Sequence, residues 1–333
     1  MAGAQGSAMA AAVSNAGGLG SLPAAMFSTE GLANELAALS RLTSQPYNVN
    51  FFCHTPPHLD RQVQAAWHQA LLPYYREFGL DEQAPPTGPG RDPFSHAVAD
   101  VVEVFKPAVV SFHFGLPAPD LLARVRAWGA QILASATTVE EALWLQSHGA
   151  DSVIAQGWEA GGHRGHFLSD DLSAQLGTFA LVPQLVATLD IPVIAAGGIA
   201  TPEGVRAAME LGAAAIQVGT AYLLSPESNI SVLHRAALQS PAARHTALTN
   251  LFTGRPARGI VNRLMRELGP MAANVPPFPL ATAAISPLRA GVEATGSGDF
   301  SPLWSGQNAS ACRALAAADI TEWLAQGFSP ASI

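Results

Sequence analysis

A histidine in a glycine-rich segment, Gln156-Gly157-Trp158-Glu159-Ala160-Gly161-Gly162-His163-Arg164-Gly165, directly follows the apolar run Asp151-Ser152-Val153-Ile154-Ala155. Glycines at the exit of a buried strand let backbone N–H groups approach a ligand, and imidazole is the side chain best poised to move a proton near neutral pH. The segment reads as the floor of a cofactor site with His163 as its acid–base residue. A glycine-rich surface turn carrying an exposed histidine is the alternative. Two later strand exits also carry glycine: Ala196-Gly197-Gly198-Ile199 and Gln217-Val218-Gly219-Thr220. Their separation of about twenty residues matches the phosphate-binding loops after the last two strands of an α/β barrel, where a short helix N-terminus assists. Close helix–strand packing would favour glycine there too. His113, ending the run Ala108-Val109-Val110-Ser111-Phe112-His113, is a second histidine at a strand exit; a satisfied core histidine is its other reading. His163 and His166 lie three apart with no third soft ligand, so no metal site is expected and His166 reads as a solvated neighbour.

Those residues need strands to hold them. Seven strand-like segments centre near Leu19, Val49, Val110, Ile132, Val153, Ile194 and Ile216. Between them lie helical stretches, among them Ala118 to Trp128, Thr138 to Ser147, Leu176 to Leu189, and Pro202 to Leu211 behind the N-cap Thr201. Strict alternation of apolar strands with helices predicts a parallel sheet covered by helices. The expected fold class is α/β, a TIM (β/α)8-type barrel lacking or truncated in its first strand, because seven is one short of closure. Residues 1–53 and 107–225 would form the barrel. Residues 54–106 read as a helical insertion over its mouth: helices at Arg61 to Phe78 and Phe94 to Phe105, with a Pro/Gly-rich loop from Ala84 to Pro93. Residues 226–333 read as a mainly helical appendage closing on the site. Asn229 to Gln239, Asn262 to Leu268 and Ser310 to Gln326 would be its helices, and Pro276 to Pro287 extended.

Composition removes several classes of function. Half the chain is apolar (49%), 13% is charged and the net charge is −8, so a large core is expected and a nucleic-acid surface is not. The single lysine, Lys106, precedes Pro107 at a strand entrance, the wrong end of a barrel for Schiff-base catalysis. No P-loop and no GxGxxG with a downstream acid is present. Cys53 and Cys312 have neither disulfide-framework nor metal spacing, which suits a reducing cytoplasm. The start lacks a basic n-region, and the uncharged run Gly269 to Leu288 is broken by prolines, so neither a secretory signal nor a membrane helix is expected.

With these motifs the chain resembles nitronate monooxygenases, formerly 2-nitropropane dioxygenases, a family of FMN-dependent TIM barrels. The resemblance rests on Met1-Ala2-Gly3, Ala11-Ala12-Val13-Ser14-Asn15-Ala16-Gly17-Gly18-Leu19-Gly20, Asn48-Val49-Asn50, Glu159 to Gly165, Ala196 to Ile199 and Gln217 to Thr220. It covers nearly the whole chain, least strongly in the insertion and the C-terminal third. In the family a short strand and Gln-Ala-Pro precede Met-Ala-Gly. The resemblance implies that Gly197, Gly198, Gly219 and Thr220 hold the FMN phosphate. It puts Asn50 and Gln156 at the isoalloxazine ring, and Gly161, Gly162 and Gln217 along the cofactor. Met1, Ala2 and Gln307, in a Trp304-Ser305-Gly306-Gln307 segment like one near the family's flavin, complete the set. His163 matches the family's active-site histidine and His113 a second one in one branch. The implied activity is oxidation of alkyl nitronates, and of nitroalkanes, with O2 to carbonyl compounds and nitrite. His163 would act as a base on a neutral nitroalkane or, protonated, hold the anion. Where some relatives place tyrosines and a lysine at the C-terminal rim, this chain has Phe278 and no lysine. An FMN-dependent NAD(P)H oxidoreductase of quinone or enoyl-thioester reductase type shares the barrel and stands as the alternative. A flavin-binding module without catalysis is a third reading. A homodimer stays open as the assembly.

Overall fold

The computed structural model describes residues 1–83 and 91–328; residues 84–90, within the expected Ala84 to Pro93 loop, lie outside the described residues. Among the described residues ten strands follow one another: β1 Gly20–Pro23, β2 Tyr47–Phe52, β3 Val109–His113, β4 Gln131–Ala136, β5 Ser152–Gln156, β6 Gly162–His163, β7 Val193–Ala196, β8 Ala215–Gln217, β9 Thr246–Thr249 and β10 Ala257–Ile260. Seven form one sheet in the order β1-β2-β3-β4-β5-β7-β8, every neighbouring pair parallel. This is the barrel-type α/β architecture the alternation predicts. Among the described residues no strand joins β1 to β8, which stand as the two edges.

The intervening helices are α1 Ser7–Asn15, α2 Thr29–Leu42, α3 Arg61–Glu77, α4 His96–Phe105, α5 Pro119–Ala127, α6 Val139–Ser147, α7 Thr178–Thr188 and α8 Pro202–Glu210. Their starts follow capping chemistry: Ser28, Thr138 and Thr201 each accept an N–H of the first turn, and Pro202 occupies N1. Apolar stripes such as Leu32, Leu36 and Leu39 on α2, or Leu181, Val182 and Leu185 on α7, face the outer side of the sheet, where Val49, Val110, Ile132 and Val153 have no exposure. Fully burying each such side chain contributes roughly 1.5–3 kcal/mol. The opposite face gathers Leu133, Ile154 and Ala196 in a small inner cluster. Strand alternation thus sends Val153 and Ala155 outward and points Gln156 toward the inner, site-bearing side.

The two helices of 54–106 divide between two cores. Ala99 and Val102 of α4, with Phe94, join the barrel core, where Phe94 lies 4.7 Å from Phe51 and 5.4 Å from Phe112. Trp67, Leu71 and Tyr75 of α3 build a second core with the C-terminal region. Their partner is α11 Thr282–Glu293, which follows α9 Val232–Leu238 and α10 Arg263–Leu268 and precedes α12 Ala317–Ala325.

The C-terminal third differs from its sequence reading in three places. Pro276 to Pro287 is not wholly extended, because α11 runs through Pro287. The proline removes one ladder bond, but Ile285, Leu288 and Val292 are buried against α3, and Tyr75 donates to the Ala284 carbonyl at 2.7 Å. The helix expected from Ser310 begins only at Ala317, whose N–H is held by the Glu227 carboxylate. β9 and β10 form an antiparallel hairpin that captures β6, in the order β6-β10-β9. No helix among the described residues is long and apolar enough to cross a membrane.

Candidate active site

The loop after β5 is folded by its own polar side chains. Gln156 donates from Nε2 to the His163 carbonyl (2.8 Å) and accepts from Gly165 N (2.7 Å), so both halves of its amide are committed to the loop. Arg164, with no exposed surface, donates to Gln175 Oε1 (2.7 Å), Gly157 O (2.6 Å) and Gln156 O (2.9 Å). Nothing in the sequence singled it out, since an arginine in a glycine-rich segment reads as solvated. Gly161 is required by close approach: a Cβ there would lie 2.5 Å from Gly306 N. His163 pairs with Ala257 of β10, and Arg164 N donates to Pro256 O at 2.8 Å.

This places the His163 ring inside an aromatic box. Its centroid lies 5.3 Å from Phe278, 5.5 Å from Trp304, 6.1 Å from Phe114 and 6.2 Å from Phe52. Nε2 of His163 is 2.9 Å from Thr253 Oγ1. His113, from the end of β3, approaches the His163 carbonyl with its own Nε2 at 3.2 Å; a carbonyl only accepts, so that nitrogen carries the proton. The two histidines expected at the site are therefore together. His54 stands edge-on to Phe278 at 4.8 Å, and the Arg255 guanidinium lies 4.2 Å above the Phe114 ring. Thr253, Arg255, Arg91, His54, Phe52 and Phe114 carry no motif and were missed by sequence reasoning. Phe52 and Phe114, beside strand exits, were the findable ones.

Burial controls the protonation of the site. His163 is held well below the usual histidine range by burial, then by the positive charges of Arg91 and Arg255 and by His113. His113 is lowered to about 3 by burial, against the opposing effect of its bond to the His163 carbonyl. Burial and Arg255 bring His54 to about 4. His166, expected to be solvated, is 2% exposed and lowered to about 3 by burial and by Arg255 and Arg164. The imidazoles are therefore neutral near pH 7. Burial and the positive charges of Arg91 and Arg255 therefore weigh against a protonated His163 holding an anion. Among the described residues no carboxylate hydrogen-bonds or ion-pairs with His163, His113, Arg91 or Arg255, and no three His, Cys, Asp or Glu side chains converge on a metal position.

A second region lies at the exits of β7 and β8. The backbone N–H groups of Gly197, Gly198, Gly219 and Thr220 make no hydrogen bond within the protein, among the described residues. Free N–H groups at parallel-strand exits beside helix starts are what a phosphate monoester needs. The segment 305–308 crosses all three glycine-marked exits. Gly306 N donates to Thr220 Oγ1 (2.9 Å), Gln307 N to Glu159 O (3.0 Å) and Asn308 Nδ2 to Gly198 O (2.8 Å). Glu159 caps α7 through Thr178 and, with Trp158, Gln175, Gly177 and Gln307, lines a cavity of about 460 Å³. Met1 approaches Gly219, Ala2 is half-buried beside it in the chain, and Gln217 is exposed at the β8 edge. Asn50 donates to Ser111 Oγ at 2.8 Å on β3. Most of the expected residues thus fall into two groups, one around His163 and one around the free N–H groups, bridged by Gly161 and 305–308, while Asn50, bonded to Ser111, is tied to neither.

A family model described as nitronate monooxygenase matches residues 1–327. The nitronate monooxygenase of Pseudomonas aeruginosa is 42% identical over 324 residues, which cover 96% of this chain and 92% of the relative. Among solved structures, nitroalkane oxidase from Streptomyces ansochromogenes superposes with a TM-score of 0.89 at 38% identity, covering 98% of this chain and 92% of that one. FabK from Thermotoga maritima superposes with a TM-score of 0.70 at 25% identity, covering 98% and 90%.

Proposed function

The chain belongs to the nitronate monooxygenase family, and we propose that it is an FMN-dependent enzyme oxidising alkyl nitronates, and nitroalkanes after deprotonation, with O2 to carbonyl compounds and nitrite. Its place among oxidoreductases follows from the family; the substrate and the cofactor are the proposal. The observation that carries it is a box walled by Phe52, Phe114, Phe278 and Trp304, with the Arg255 guanidinium on the Phe114 ring and the positive charge of Arg91 acting on His163, and with no carboxylate paired to either arginine among the described residues. That is a site for a small anion with apolar substituents. A nitronate, with its charge spread over carbon and two oxygens, has that chemistry.

The free N–H groups of Gly197, Gly198, Gly219 and Thr220 fit the FMN phosphate, and Asn50, Gln156, Gly161, Gly162, Gln217, Gln307, Met1 and Ala2 are assigned to the rest of the cofactor. Bound FMN would accept the substrate's electrons and hand them to dioxygen. His163 takes the α-proton of a neutral nitroalkane. Its low basicity keeps it unprotonated and available, and the imidazolium formed is stabilised by the nitronate beside it. Arg91 and Arg255 offset the negative charge on the nitro oxygens, and the aromatic walls exclude water. His113, bonded to the His163 carbonyl, fixes the loop that carries the base. The two free thiols, Cys53 and Cys312, and the acidic charge balance suit a cytoplasmic enzyme without nucleic-acid partners; a homodimer is compatible with the same reading.

Anaerobic mixing of the yellow protein with an alkyl nitronate, NADH or NADPH tests this reading. Bleaching by nitronate is expected. Rapid bleaching by a pyridine nucleotide with none by nitronate would leave the reductase as the function, and protein that stays colourless with added FMN would leave neither. His163→Ala is expected to lose about 10²–10⁴-fold in nitroalkane turnover; unchanged turnover removes His163 from the chemistry.

A further inference from the structure

We propose that Thr253 is a positioning residue that sets the tautomer of His163, placing the ring proton on Nε2 and leaving Nδ1 as the basic atom. This rests on the reading of His163 as the site base. The Thr253 hydroxyl, in a side chain only 2% exposed, stands 2.9 Å from His163 Nε2 and 3.4 Å from the Arg255 carbonyl. It has one proton for two neighbours. A carbonyl can only accept, whereas an imidazole nitrogen can accept or donate. Both contacts are satisfied together only if the hydroxyl donates to Arg255 O and accepts from His163 Nε2–H. Neutral imidazole carries a single N–H, so Nδ1 is then the lone-pair nitrogen.

The rest of the structure holds that arrangement in register. His163 pairs with Ala257, and Arg164 N donates to Pro256 O, so the base is anchored to the first residues of β10. Thr253 sits in the turn that leads into that same strand. Gln156 Nε2 and His113 Nε2 both donate to the His163 carbonyl, fixing the backbone from the other side. With backbone and Nε2 both tied, the ring has one orientation. In the proton-transfer step the α C–H bond breaks, its electron pair stays on the nitronate, and the proton bonds to Nδ1 to give imidazolium.

Nitrogen-15 NMR of histidine-labelled, flavin-loaded protein at pH 7.5, with His163 assigned by its loss in His163→Gln, reads the tautomer without reference to turnover. The expected result is a protonated Nε2 and a bare Nδ1. In Thr253→Val the signals should move toward the other tautomer or an average, and Thr253→Ser should restore them. Turnover of a neutral nitroalkane should fall about tenfold in Thr253→Val, as expected for partial loss of a positioned base. Turnover of a preformed nitronate should fall less than that of the nitroalkane, because it needs no deprotonation. A bare Nε2 in the unmodified protein, or a tautomer unmoved in Thr253→Val, overturns the assignment. Loss of nitronate turnover equal to that of nitroalkane assigns Thr253 to the fold alone. A protein that turns over neither compound refutes the functional reading, and the NMR result still decides the tautomer.

Discussion

Arg255 affects more of the site than any other single residue. Its charge lowers the basicity of His54, His113, His163 and His166, it stacks on Phe114, and it donates to the His166 carbonyl. Arg255→Met keeps much of the stem's volume and removes the charge. We expect about a tenfold rise in KM for a nitronate with a smaller change in kcat, the pattern of lost anion binding. Steady-state kinetics at saturating O2 check it, and an unchanged KM would assign anion binding to Arg91 alone. At this scale the sequence shows a sharp contrast. His163 was legible because glycines and a strand exit surround it. Arg164, next to it, and Arg255 were not, because a guanidinium's role depends on which carbonyls and rings the fold brings around it.

The hairpin of β9 and β10 is the element that completes the site, and it was absent from the sequence reading. Ala257-Arg258-Gly259-Ile260 lacks a β-branched alternation, and becomes a strand because β6 and β9 offer it two partners. Its turn is packed to the limit. Gly254 has φ +89°, and a Cβ there would meet Pro276 O at 2.1 Å and Phe278 N at 2.7 Å. Gly254→Ala should therefore cost roughly 1–3 kcal/mol and displace both Thr253 and Phe278 from His163. Gly269→Ala is the control: its φ is +74° but nothing lies within 4 Å of the added carbon. A lowered Tm with lost turnover is expected for the first, and a lowered Tm with normal turnover for the second. Equal turnover in both would show that the turn does not position the site. The barrel elements were far more legible, since caps such as Ser28, Thr138 and Thr201 and the apolar runs they precede are local signals.

Across the whole molecule, buried neutral histidines set the acid limit of stability. His54 and His234 are lowered to about 4, and His113 and His166 to about 3, burial being the first cause each time. Unfolded histidine titrates near 6.5, so below that pH the unfolded chain binds more protons than the folded one. Stability is then flat above about pH 7 and falls as pH drops from about 6.5 toward the folded values, by up to about 1.4 kcal/mol per pH unit for each fully buried histidine. The urea midpoint should be clearly lower at pH 5 than at pH 7.5; an unchanged midpoint would mean that these rings are not buried in neutral form. The sequence by itself determined the seven parallel strands and the glycine-marked exits that hold His163, because periodic burial and capping are short-range properties. Only the tertiary structure decided what faces that histidine. Its hydroxyl partner is 90 residues away in the chain, and its aromatic walls and cations come from six separate segments. Such contacts arise where a hairpin turn docks onto a loop, and no local pattern encodes that docking.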